Sequence, residues 1–149
     1  MRVAERIERP TTAGLDHFGL SVTDIARSTA FYCDVLGAEV VFGAHDEDSF
    51  RRVVVKLGSW IVDLNQFHAN DGTRFDVTRT GLDHLGLTAA SRDALEDWAS
   101  WLDEHDVPRS AIRDMPAPVV GAMFDFVDPD GIQFEFSFVA SAALPGVEW

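Results

Sequence analysis

The segment Gly14-Leu15-Asp16-His17-Phe18-Gly19-Leu20 returns as Gly81-Leu82-Asp83-His84-Leu85-Gly86-Leu87, with six of seven positions matching at an offset of 67. Each copy sets one histidine, His17 or His84, in a stretch that is otherwise apolar, where an imidazole without a partner is costly. A single strand histidine is more often a satisfied core residue than a ligand, and one kept only for packing would be copied with its repeat. Two at matching positions still make ligation the reading to carry forward. Glu135 is a separate witness. In Ile132 to Phe138, alternation puts Phe134, Phe136 and Phe138 on one face and sends Gln133, Glu135 and Ser137 to the other. A carboxylate buried among phenylalanines needs a partner, and a divalent cation is a good one.

The elements that must hold these residues follow the same duplication. After each copy comes a short apolar strand, a helix-start residue, an amphipathic helix and then extended segments ending in an apolar strand. Asp24 caps a first helix with apolar positions Ala26, Ala30, Phe31 and Val35, and Gly37 sits where a left-handed terminus favours glycine. Ser91 caps a second, in which Ala94, Leu95, Trp98, Trp101 and Leu102 draw one stripe and Pro108 follows the end. Strands are expected over Val40–Phe42, Phe50–Leu57 and Trp60–Phe67, and again over Val119–Val127 and Ile132–Val139. Asp128-Pro129-Asp130-Gly131 is a turn signal that joins the last two as a hairpin. The expected organisation is one domain over 1–149, with module one at about 14–68, a linker at about 69–80, module two at about 81–138 and a tail at 139–149. Met1–Thr12 and Ser141–Trp149 read as tails or partner-contacting arms.

Composition narrows the function. With 149 residues, 46% hydrophobic and 25% charged, the chain suits a single globular domain. A net charge of -13 repels phosphate backbones and anionic headgroups, which sets aside nucleic acid and membrane surfaces as partners. The single cysteine, Cys33, closes no disulfide within the chain and offers no thiolate cluster, so any metal site must use histidines and carboxylates. No apolar run approaches the roughly 20 residues of a membrane span, and Met1–Pro10 is charged where a signal peptide needs an apolar stretch; the cytoplasm is the expected location.

Four stretches carry a resemblance to the vicinal oxygen chelate superfamily, the group of glyoxalase I, extradiol dioxygenases, methylmalonyl-CoA epimerase, fosfomycin-resistance enzymes and bleomycin-binding proteins. They are Leu15-Asp16-His17-Phe18-Gly19-Leu20, Phe31-Tyr32-Cys33-Asp34-Val35-Leu36-Gly37, Asp83-His84-Leu85-Gly86-Leu87 and Phe126-Val127-Asp128-Pro129-Asp130-Gly131-Ile132-Gln133-Phe134-Glu135. The resemblance spans nearly the whole chain. It implies an α+β fold of two tandem βαβββ modules whose mixed β-sheet curls into a cup, with metal ligands on the first and last strands of the modules. It places His17, His84 and Glu135 as ligands, and two imidazoles with one carboxylate and open positions suit Fe(II) or, by substitution, Mn(II), Zn(II) or Ni(II). For the fourth position, aligning Phe134-Glu135-Phe136 with Val62-Asp63-Leu64 selects Asp63, beside Ile61 and Asn65. Copying the 51 residues from His84 to Glu135 onto His17 reaches His68 instead, which follows the strand and ranks second. Whether Asp63 binds metal, works through water, acts as a base or bonds the backbone is open at this point, as is a homodimer in which cups are completed between chains, an expectation that rests on the resemblance.

The implied activity is glyoxalase I-like lyase or isomerase chemistry on a small substrate with adjacent oxygens: a Lewis-acidic ion grips both oxygens, and a base moves a proton. The alternatives are extradiol-type ring cleavage and a bleomycin-resistance-like binder without catalysis. Fosfomycin-type transfer is disfavoured because a phosphonate site wants several cations and the chain has one lysine, Lys56. The remaining standouts have plainer readings. His45 sits in a solvated acidic turn, His105 near a helix end, Tyr32 and Cys33 pack, and Arg51 or Arg52 stands near the cup as a candidate partner for a substrate carboxylate. Some of the four tryptophans and eleven phenylalanines are expected to line an apolar pocket.

Overall fold

The computed structural model describes residues 11–142. Its strands form two four-stranded sheets of identical order. The first contains β1 (His17–Ser21), β2 (Glu39–Asp46), β3 (Phe50–Leu57) and β4 (Trp60–Phe67), ordered β1-β4-β3-β2. The second contains β5 (His84–Thr88), β6 (Arg113–Met115), β7 (Val119–Val127) and β8 (Gln133–Ala142), ordered β5-β8-β7-β6. In each sheet the first strand lies parallel to the last and the other neighbours are antiparallel. A helix crosses over between the first and second strand of each set, α1 (Ile25–Ala30) and α2 (Arg92–Glu104). These are two βαβββ units, the fold that the resemblance implies.

Alternation gives each sheet one packed and one open face. Val53, Val55, Val62 and Leu64 fill the packed side of the first sheet; Phe124, Phe126, Phe134 and Phe136 fill that of the second. Phe126 stacks on both Phe134 and Phe136, with ring centroids 5.4 and 5.5 Å apart. Much of the phenylalanine content is therefore core packing.

The helices depart from the expected stripes. Asp24 does cap α1, its carboxylate accepting from the Arg27 N–H at 3.0 Å, and the helix continues through a wider π-type turn over Phe31–Val35 to Gly37 in the left-handed region. Its buried side is Ile25, Ser28, Tyr32 and Leu36, whereas Ala26 faces outward and Phe31 and Val35 are half-buried. In α2 the buried residues are Leu95, Ala99 and Leu102. Trp101 is exposed, and its indole N–H reaches across to the Val35 carbonyl at 2.8 Å. β2 is longer than the expected Val40–Phe42, β6 has no counterpart among the expected strands, and β8 runs to Ala142, so the tail expected from 139 begins with strand. Met1–Pro10 and residues 143–149 lie outside the described residues.

The expected hairpin turn is present, with the Gly131 N–H bonded to the Asp128 carbonyl at 3.0 Å and Gly131 at φ 85°. Its two aspartates are nonetheless buried, because they join the modules. Asp128 accepts from the Asp130 and Ile132 N–H groups and from the Tyr32 hydroxyl, the last at 2.9 Å. Asp130 accepts from the Thr23 N–H and hydroxyl, from Ser28 and from the Arg27 guanidinium at 2.7 Å. The connecting segment closes over this joint, with the Phe75 N–H bonded to the Asp130 carbonyl.

Candidate metal centre

The two sheets present the same pair of donors at the same register. In the first, His17 stands opposite Ile61 and Gly19 opposite Asp63; in the second, His84 stands opposite Gln133 and Gly86 opposite Glu135. Structurally, then, the counterpart of Glu135 is Asp63, and His68 lies past the strand end, its N–H bonded to the Ser49 carbonyl. The carboxylates sit on the open faces, with Val62 and Leu64, or Phe134 and Phe136, turned to the core beside them. Each carboxylate has a glycine across the ladder. A side chain at Gly19 would press on the Asn65 amide at 3.3 Å, while at Gly86 it would meet nothing within 4 Å.

Neither histidine is buried in an apolar interior, contrary to the sequence expectation. Their side chains are 52% and 41% exposed, and each already has a partner in the preceding residue. His17 Nδ1 lies 2.7 Å from Asp16 Oδ2, and His84 Nδ1 lies 2.9 Å from Asp83 Oδ2. The Asp16 hydrogen bond raises the His17 pKa above the ordinary imidazole value, with the negative charge of Asp63 adding to it.

The surroundings of the carboxylates differ. Asp63 is 16% exposed and lies 3.7 Å from the Arg52 guanidinium, which also donates to Asn65 Oδ1 at 3.0 Å and lies over the Phe50 ring. Glu135 stands opposite Asp125 on β7, and Asp125 pairs with Arg113 of β6 at 2.7 Å. Burial raises the Glu135 pKa first; Asp125 adds to the rise, while His84 and Arg113 pull the other way. Arg113 escapes a sequence reading because β6 shows no apolar alternation, whereas Asp125 lies in an expected strand and is marked only by its register opposite Glu135. Arg51 points to the helix side of its sheet, so Arg52 is the arginine on the open face, together with Lys56 opposite Ile61.

The structure thus brings His17 to Asp63 and His84 to Glu135. Among the described residues, no three His, Cys, Asp or Glu side chains gather into one group able to hold a metal ion. Each sheet carries half a donor set, one imidazole and one carboxylate, of the chemistry that first-row divalent ions accept. Tyr32, His45 and His105 stand apart from both: Tyr32 is buried in the joint, His45 lies near Glu47, and His105 bonds the Trp101 carbonyl.

A family model described as the Glyoxalase/Bleomycin resistance protein/Dioxygenase superfamily matches residues 14–136. The chain belongs to this superfamily. It is 30% identical over 122 residues to metallothiol transferase FosB of Staphylococcus haemolyticus, covering 82% of this chain and 81% of that protein. Among solved structures, a glyoxylase/bleomycin resistance protein/dioxygenase domain from Frankia sp. EAN1pec superposes with a TM-score of 0.79 at 24% identity, over 87% of this chain and 99% of that one. Lactoylglutathione lyase from Agrobacterium tumefaciens gives 0.64 at 20% identity, over 87% and 96%. A glutamate-to-glutamine mutant of the fosfomycin resistance protein FosX from Listeria monocytogenes, complexed with Mn(II) and 1S,2S-dihydroxypropylphosphonic acid, gives 0.66 at 16% identity, over 89% and 94%. At these identities the three structures speak for the fold. No helix among the described residues is long and apolar enough to cross a membrane.

Proposed function

We propose that the chain is a divalent-metal-dependent enzyme of this superfamily that assembles its metal site between two copies, His17 from one and His84 with Glu135 from the other, with Asp63 beside them. The observation that carries this reading is the pair of half-sites at equivalent positions on open sheet faces, each short of the three donors a metal centre needs. The Mn(II) in FosX and the metallothiol name of FosB support metal use. When bound, such an ion supplies Lewis acidity for two adjacent substrate oxygens.

The chain's own groups then set the reaction. Asp63 is held by Arg52, so it can take a proton from substrate when Arg52 turns to an anionic substrate group; this is the arrangement glyoxalase-like proton transfer needs. A second reading, thiol transfer to a small electrophile, is favoured by the likeness to FosB and by one feature of the fold. Arg52 and Lys56 lie on the open face of the first sheet and Arg113 on that of the second, so a shared cup gathers three cations despite the single lysine. Turnover of 2-oxoaldehyde–thiol adducts against turnover of epoxides with thiol separates the two.

The shared site is tested by mixing variants. His17→Ala and His84→Ala are each expected to lose Mn(II) binding alone, while a refolded mixture regains it, because a mixed pair rebuilds one intact site from the undamaged halves. Mn(II) titration followed by electron paramagnetic resonance reads the free ion. A mixture as inert as its parents would end the shared-site reading.

A further inference from the structure

We propose that Asp16 and Asp83 are positioning residues that fix the two imidazoles as Nδ1–H tautomers and leave Nε2 of each as the ligating atom on the open face. This rests on the metal reading above and adds residues that it does not use. Asp16 and Asp83 each immediately precede a strand, outside the alternation that would send consecutive side chains to opposite faces, so each carboxylate can fold back beside the next ring. The resulting Nδ1 to Oδ2 distances are 2.7 and 2.9 Å. A carboxylate only accepts hydrogen bonds, so the proton must reside on Nδ1 of both rings. A free neutral histidine favours the opposite tautomer, with the proton on Nε2, which would occupy the outward nitrogen.

The same contact arises twice in unlike surroundings, beside Asp63 and Arg52 in one sheet and beside Glu135, which itself faces Asp125 and Arg113, in the other. The pairing is thus kept in both repeats although the charges around the two rings have diverged. Carboxylates behind ligating imidazoles orient the ring and raise its basicity, and their loss commonly weakens metal affinity about 10- to 100-fold.

The test has two readouts. Ring-nitrogen NMR on the metal-free protein, above the imidazole titration range and assigned with the His17→Ala and His84→Ala variants, should find His17 and His84 as Nδ1–H tautomers. Asp16→Ala should return only His17 to the Nε2–H form, and Asp83→Ala only His84. Mn(II) affinity by calorimetry should fall about tenfold or more in each alanine variant. It should recover in Asp16→Asn and Asp83→Asn, whose amide oxygen still accepts from Nδ1. Wild-type rings already in the Nε2–H form, or tautomers indifferent to both alanine changes, would overturn the proposal. Affinity unchanged in the alanine variants overturns it alone, whereas a wild-type protein that takes up no Mn(II) overturns the metal reading with it.

Discussion

At the scale of single residues, the most informative side chain away from the half-sites is Asp128. Three hydrogen bonds favour its charged form, yet burial outweighs them and its pKa is raised. Burial likewise keeps the Tyr32 phenol protonated well beyond its usual range. The sign of the linkage follows. A carboxyl whose folded pKa lies above its unfolded value costs stability when both states are ionised, and that cost is relieved as pH falls from the raised value toward the ordinary one. Asp128→Asn keeps the two backbone bonds through its amide oxygen, and the Tyr32 hydroxyl can turn to accept from the amide nitrogen. The variant is therefore expected to compare with wild type most favourably near neutral pH and to lose that relative gain under mild acid. Urea unfolding of both proteins across that range measures the difference, and a difference that does not vary with pH would contradict the argument.

At the scale of elements, the β7–β8 pair shows why some limits are legible in the sequence and others are not. β3, β4 and β7 have the limits that alternation and turn residues indicate, since each is bounded by polar, glycine-containing or proline-containing turns. α1 differs from its apolar period by one face: Ala26 is apolar but turns outward, while Ser28 is buried because Asp130, far along the chain, receives its hydroxyl. A period-based reading has no access to that partner. The same holds for Trp101, whose bond to the Val35 carbonyl holds it off the core, and for Asp128 and Asp130, legible as a turn but not as a joint. The faces of Asp63 and Glu135 are legible from their neighbours; the bonds that Asp16 and Asp83 accept are not, because nothing in spacing reveals that a residue ahead of a strand folds back. Gly121 offers a test at this scale. It lies at a register shift between β7 and β8, and a Cβ there would collide with the Phe138 carbonyl oxygen. Gly121→Ala should cost about 1–3 kcal/mol, as overpacking typically does, read as a lowered urea midpoint. Gly86→Ala, with open space around it, serves as the tolerated control for stability.

At the scale of the whole molecule, charge and assembly oppose each other. Two copies of a chain carrying -13 repel, and the repulsion is screened as ionic strength rises. If His17 of one copy and His84 and Glu135 of another share an ion, binding of that ion must also favour the pair, since a ligand that binds only the assembled form shifts the equilibrium toward it. Sedimentation velocity is expected to show the dimer fraction rising with sodium chloride and rising further with Mn(II) at fixed salt. A monomer unmoved by Mn(II) would contradict a site made by two chains.

The buried joint between the modules has one more consequence. Each of its interlocking groups lies on the opposite repeat from its acceptor: Tyr32, Thr23 and Arg27 on one, Asp128 and Asp130 on the other. A protease that nicks the exposed connecting segment should release no fragment under native conditions, for the latch does not depend on the backbone that spans it. Either half made by itself would carry either a tyrosine without its acceptor or two acids stripped of the side-chain donors that the other half supplies, so what began as a repeat now works as a lock and its key.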